Sequence, residues 1–380
     1  MLTAAVCAPC IHASACFASK QQQYVYEQGI ASPQENNQIT ACLLKKLNPE
    51  DFDTFDQAAA SLRKSNNTAP ALGIMMRIFK ETKNPQAAFT AAAFLVSAPY
   101  ELGGFEKDLL GILHSNAADY KKTLAVIILA AMEAVGGEYA SFLTPAIDGE
   151  DIVLQAYAAA AYTIIVPGAM GRYLDKIIFL YGFDKNLAQT AFAATGLKDK
   201  DLHAALKENL KNPNTQARIS AIEWIGETGD RKLLDAAFGA DNKDSAVQAA
   251  AAQAVARNFA EMRGEVKKAF RKAPSTPQAT IAVMAYAFNG GAGFDDIENF
   301  LKSGNNNEIS NALRVVSAVA GILAEDSSNY QNPGLEEQRI KRLIPLVSHI
   351  SGTTKNAQVK TYADNAVKEL YKLINTQGEK

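Results

Sequence analysis

Asn212-Pro213-Asn214-Thr215-Gln216-Ala217-Arg218-Ile219-Ser220-Ala221-Ile222-Glu223-Trp224-Ile225-Gly226-Glu227-Thr228-Gly229-Asp230 holds a helix start, an apolar face and a stop in one short run. The side-chain oxygen of Asn212 can accept from an unpaired N–H of the first turn, and Pro213 at the first helical position gives up only an N–H that has no partner there. Ala217, Ala221, Trp224 and Ile225 fall on one face at helical spacing, and Gly226 and Gly229 close the helix. The stretch predicts a single amphipathic helix whose apolar stripe needs a neighbour. Trp224, the single tryptophan, falls on that stripe and reads as packing rather than as a binding hot spot.

With Ala217 as register mark, comparable helices recur near Gln57, Phe89, Lys121, Val153, Lys185, Val247, Ile281, Ala312 and Val359, at steps of about 32 residues. Start chemistry recurs with them, as Asn48-Pro49, Asn84-Pro85, Thr144-Pro145, Thr276-Pro277 and Asn332-Pro333, while Asp148, Asp184 and Asp241 supply turn carboxylates. Shorter apolar-periodic stretches, such as residues 202–210 and 294–301, lie between the marked helices, so each unit is a helix pair. One pair cannot bury its own apolar face, so neighbouring pairs must stack around a continuous core. Two irregularities interrupt the period: residues 325–334 read as an inserted loop, and residues 19–38 as a polar linker or mobile arm.

Asn-Pro, then a small residue and Arg, then Ala, Ile and Gly-x-x-Gly-Asp resembles the short HEAT-type repeat of bilin-lyase-like and other α-solenoids. The match is specific over residues 206–256, where Asp241 to Ala256 echoes the first copy, and degenerate elsewhere. The resemblance implies an all-α fold, a right-handed α-solenoid of about nine or ten HEAT-like helix pairs. Its span is residues 45–376, preceded by residues 1–18 as a signal peptide or lipoprotein signal and 19–44 as an N-terminal arm. In the family a turn Asp and an Arg six residues on form a ladder. Here Arg218 faces Asn212 instead, and the positions equivalent to Arg218 are Thr90, Lys122, Leu154, Gln248 and Lys360.

The expected function is a non-catalytic scaffold that presents a concave surface to a protein or peptide partner. Exposed positions of the marked helices are its candidate contacts: Gln216, Ser220 and Glu223 in the clearest copy. The alternative implied by the resemblance is an enzyme-associated or lyase-like HEAT subunit. No G-x-S-x-G, H-E-x-x-H, P-loop or complete G-x-G-x-x-G occurs, and Gly290-Gly291-Ala292-Gly293 follows a helix rather than a strand. His12, His114, His203 and His349 form no metal-binding pair, and Asp295-Asp296 and Glu336-Glu337 read as first-turn carboxylates that complement a helix dipole. No catalytic residue, metal or cofactor is therefore expected.

At 48% apolar and 21% charged, the 380 residues can bury a sizeable core, which excludes disorder as the main state. A net charge of −2 sets up no global field toward nucleic acid or an acidic membrane. Arg263, Lys267, Lys268, Arg271 and Lys272 gather on one helix, and Arg339, Lys341 and Arg342 on another. With only Phe270 among them for stacking, they read as solvated faces, and a nucleic-acid-binding solenoid is the third-ranked reading. Residues 152–171 carry no charged side chain until Arg172, yet Gln155, Tyr157, Tyr162, Thr163 and Pro167 dilute them, so a core helix is expected there and no transmembrane helix in the mature chain.

Cys7, Cys10, Cys16 and Cys42 are the only cysteines, so the residues after Cys42 have no disulfide framework. Residues 1–18 are apolar, rich in small residues and uncharged, like the core and cleavage zone of an export signal. Cleavage after Ala18 is one expectation; Ala13-Ser14-Ala15-Cys16 resembles a lipobox that would lipidate Cys16, giving a lipid anchor. Either places the protein in the periplasm, at the cell surface or outside. An intact N-terminus would place it in the cytoplasm and return Cys7, Cys10, His12 and Cys16 to consideration as a metal or redox set.

Overall fold

The computed structural model describes residues 16–17, 20–27, 31–65, 67–166, 168–169, 171–240, 243–289, 293–325 and 333–375. Among them secondary structure is α-helix and short 3-10 turns, with no strand. The chain divides into two compact units, one ending at Leu202 and the other starting at His203.

In the first unit, helices α3 (Phe52–Lys64), α5 (Pro85–Val96), α7 (Asp119–Ala131), α9 (Ile152–Ile165) and α11 (Lys185–Ala194) pack each on the next. These are the helices that carry the register marks. The shorter α4 (Leu72–Glu81), α6 (Glu106–Leu113), α8 (Thr144–Ile147) and α10 (Leu174–Tyr181) lie against them. The division falls within α12 (Asp199–Asn209).

The second unit repeats the pattern. Its marked helices are α13 (Thr215–Thr228), α15 (Ser245–Arg257), α17 (Pro277–Asn289), α19 (Asn306–Glu325) and α22 (Ala357–Asn375). Beside them run α14 (Arg231–Gly239), α16 (Phe259–Ala269), α18 (Phe294–Leu301), α20 (Pro333–Arg342) and α21 (Ile344–Thr353). Repeat-like packing of this kind is compatible with an α-solenoid.

Local chemistry explains where the marked helices begin. Asn84 Oδ1 accepts from Gln86 N at 2.9 Å, Asp151 from Val153 N at 3.0 Å, Asp184 from Leu187 N at 3.0 Å, Asp244 from Ala246 N at 3.0 Å and Asn356 from Val359 N at 3.1 Å. In the deciding stretch the cap is Asn214, which accepts from Ala217 N at 3.1 Å, rather than the expected Asn212. The Arg218 guanidinium donates to the carbonyls of Asn212, at 2.7 Å, and Pro213, at 3.2 Å, and holds that turn outside the helix. Asp51, not Asn48, likewise caps α3.

Gly226 is a second departure: it lies inside α13 and is buried, while Gly229 alone ends the helix, at φ 64° in the left-handed region. A Cβ on Gly226 would stand 3.0 Å from Ala254 Cβ and 3.1 Å from Ala254 Cα, so the missing side chain lets α13 and α15 approach closely. Small residues serve the same end in α9, where Ala156, Ala158, Ala159, Ala160 and Ala161 are fully enclosed. That helix ends at Ile165, and no helix among the described residues is long and apolar enough to cross a membrane.

The expected polar arm is corrected. Residues 20–27 and 33–45 form α1 (Lys20–Glu27) and α2 (Pro33–Lys45), and both pack on α3. Ser32 and Glu35 cap α2 reciprocally. Tyr26, Ile39 and Leu43 are buried, the Tyr26 hydroxyl lies 2.9 Å from Thr40 Oγ1, and Ser61 on α3 donates to Glu27 at 2.9 Å. Sparse apolar residues at helical spacing suffice for docking even in a polar composition. Cys16 is bonded to Cys42 of α2. Residues 326–332 of the expected loop, Gly290 to Ala292, and Cys7, Cys10 and His12 lie outside the described residues.

Candidate binding surface

Side chains from several helices of the first unit enclose a notch of about 140 Å³. Helix α3 contributes Asp56, Ala59, Ala60 and Arg63; α5 contributes Phe89, Thr90, Ala93 and Phe94; α9 contributes Val153 and Tyr157; and Phe183 closes it from the turn before α11. The repeat spacing puts Asp56, Phe89 and Val153 at or beside the register marks of α3, α5 and α9. Phe89 meets Tyr157 edge-on at 5.5 Å between centroids. Thr90 donates to Asp56 at 2.8 Å, and the Arg63 guanidinium hydrogen-bonds the Tyr157 hydroxyl.

Asp184 sits behind this wall at 7% exposure. Its Oδ1 caps α11 through Leu187 N, whereas Oδ2 has no hydrogen-bond partner. Burial raises the Asp184 carboxyl above the ordinary range, opposed by the Leu187 N–H and the Arg63 charge. Burial, then the Asp184 charge, pushes the Tyr157 hydroxyl up as well. Phe183 is 37% exposed, so the notch offers an aromatic surface beside a guanidinium and a carboxylate. At about 140 Å³ the notch is smaller than a typical ligand pocket and has room for a single side chain.

In the second unit an ion cluster joins α16, α17 and α18. Asp296, 5% exposed, accepts from Arg263 Nε at 2.8 Å and Nη2 at 2.9 Å, from Lys267 Nζ at 2.7 Å and from the Tyr286 hydroxyl at 3.1 Å. Burial works to raise its carboxyl, but these hydrogen bonds outweigh it and hold the group below the usual range. Tyr286 also packs edge-on against Phe259 at 5.0 Å and Phe270 at 4.9 Å. The Asp295-Asp296 pair is thus split in role, since the first-turn reading misses a carboxylate tied to another helix.

The basic clusters are largely charge-paired. Besides the Asp296 contacts, Lys268 meets Glu265, Arg271 meets Glu308, Arg339 meets Glu336, Lys341 meets Glu337 and Arg342 meets Glu298. His203 lies 3.6 Å from Asp230. Among the described residues no group of three or more His, Cys, Asp or Glu is placed to hold a metal ion.

Of the expected contact residues on α13, Gln216 and Glu223 are half-buried, but Ser220 is 0% exposed and is no surface residue. Ser220, Ala221 and Ile222 are all enclosed because an inner helix is covered on more than one side, by its pair and by the next marked helix. Cys16, the expected lipid site, is paired with Cys42. The notch escaped the sequence reading although Asp184 was marked as a turn carboxylate; Arg63 and Tyr157 stood out by no local motif.

No protein family matches the chain, and no curated protein does. Among solved structures, an engineered protein from the Northeast Structural Genomics Consortium is similar over 94% of this chain and 98% of its own, at 15% identity and a TM-score of 0.26. So loose a likeness carries no argument, and the fold rests on this chain's own packing.

Proposed function

We propose that the chain is a HEAT-like, right-handed α-solenoid of about nine or ten helix pairs that acts as a non-catalytic scaffold for a protein or peptide partner. The observation that carries this reading is the notch on α3, α5 and α9, where exposed Phe183 and half-buried Phe89 and Val153 lie beside Asp56 and Arg63. One partner side chain with an apolar body and a polar tip fits such a pocket, with flanking residues along the neighbouring marked helices. The Cys16–Cys42 bond supports a site of action outside the reducing cytosol.

Panning a random peptide library on the immobilised full chain tests it. Enriched peptides should bind the wild type and lose at least about tenfold in affinity on Phe183→Ala, as an aromatic anchor's removal costs 1.4 kcal/mol or more. Failure to enrich any sequence, or peptides that bind both proteins equally, overturns the notch as the contact.

A further inference from the structure

We infer that Cys16 is retained in the mature protein, unlipidated, as one half of a disulfide clasp that fastens an N-terminal cap onto the first unit. This goes beyond the scaffold reading and stands without it. Cys16 and Cys42 are joined across 26 residues of sequence, with Cα atoms 5.7 Å apart. Phe17, next to the clasp, is 7% exposed and packs on Tyr26 at 5.8 Å. Tyr26 in turn reaches Thr40 of α2, and Glu27 receives Ser61 and Lys64 of α3. Residue 16 is therefore tied into the fold through a covalent bond, an aromatic pair and polar contacts, rather than discarded with a leader.

The clasped segment has the make-up a stack of helix pairs needs at its end. A terminal unit must present an apolar side to the stack and a polar side to water. Ile39 and Leu43 of α2 are buried, while Gln34, Glu35, Asn37 and Gln38 are exposed. The short α1 makes few contacts of its own, and an isolated helix of that length is marginal in water. The bond from Cys16 to Cys42 adds a covalent tie just before α1 to the Tyr26 and Glu27 contacts.

Two chemical steps follow. Closure removes two protons and two electrons from the Cys16 and Cys42 thiols, and a donor disulfide of a thiol–disulfide oxidoreductase takes them up as a dithiol. Processing, in turn, has to spare Cys16. The last bond that a leader-processing peptidase can hydrolyse without opening the clasp is Ala15–Cys16, where water yields a carboxylate on Ala15 and an amine on Cys16. Ala13 and Ala15 put small side chains at the third and first positions before that bond, the pattern such peptidases read. Cleavage after Ala18 would instead strip Cys42 of its partner.

The full chain, purified from its native host with thiols trapped at lysis, is digested without reduction and analysed by mass spectrometry. The expected result is a Cys16 peptide linked to a Cys42 peptide, with the N-terminus at Cys16 or upstream of it. An N-terminus at Ser19 or beyond, a lipid mass on Cys16, or trapped thiols at both cysteines overturns the proposal. The cap role is read separately, by hydrogen exchange on the folded wild type before and after a mild reductant. Exchange over residues 20–27 should rise at least about tenfold while that of residues 203–375 stays unchanged. Equal exchange in both states overturns the cap role.

Discussion

At Asp184 one carboxylate both caps α11 and carries a charge that burial disfavours. Its folded pKa is raised, so the folded chain binds that proton more tightly than the unfolded chain, and stability contributed by this group grows as pH falls through the folded value. Asp184→Asn keeps an oxygen for Leu187 N and removes the charge, so it should be more stable than wild type at pH 7, with the gap closing in acid. Asp184→Ala removes the charge but also loses the cap, so it should be about 1 kcal/mol less stable than Asp184→Asn. Urea titrations of all three proteins at pH 7 and at pH 4 check both outcomes. Asp296 has the opposite sign. Its folded pKa is depressed, so its contribution is complete above the ordinary carboxylate pKa of about 4 and is lost as pH falls through the folded value. Asp296→Asn should cost about 2 kcal/mol at pH 7, since Arg263, Lys267 and Tyr286 lose the ion they converge on, and progressively less as pH falls below the ordinary carboxylate range.

Helix contacts put Gly226 under a constraint that helix propensity alone would miss. Alanine normally gains about 1 kcal/mol over glycine inside a helix. Here the new methyl would press on Ala254 at 3.0 Å, and overpacking of that kind costs about 1–3 kcal/mol. Gly226→Ala is therefore expected to be neutral or destabilising in thermal unfolding, and Ala254→Gly in the same chain should restore part of the loss, a coupling that a double-mutant cycle measures. This element level is also where the sequence could be read best. Helix starts, stops and the period that selects α3, α5, α7, α9, α11 and their counterparts after Leu202 depend on residues within a few positions of one another. Two-residue slips, such as Asn214 for Asn212, arose where Arg218 tied up the preceding turn. What could not be read was convergence. Arg63, Tyr157 and Asp184 come from α3, α9 and the start of α11, and no local pattern says that they meet. Ser220 looked exposed because one helix viewed alone shows only one apolar stripe, whereas its neighbours cover a second face.

At the scale of the whole molecule, Trp224, buried in α13, belongs to the compact unit that starts at His203. Far-UV circular dichroism reports helix throughout, whereas tryptophan fluorescence reports only the unit after Leu202. Repeat arrays often lose two-state behaviour, so the two signals should give different urea midpoints, while coincident curves would show one cooperative transition. Reduction of the Cys16–Cys42 bond should lower the stability of the first unit alone, by about 3.5 kcal/mol on loop-closure grounds, and leave the Trp224 transition in place. The caps carry a consequence for the lifetime of the chain. Asn84, Asn214 and Asn356 each start a marked helix through an amide oxygen. Deamidation through a cyclic imide needs the N–H of the following residue, which Pro85 lacks, so Asn84 is protected. At Asn214 and Asn356 the route is open, and its isoaspartate product, with one more backbone carbon, would carry the cap oxygen away from the helix start.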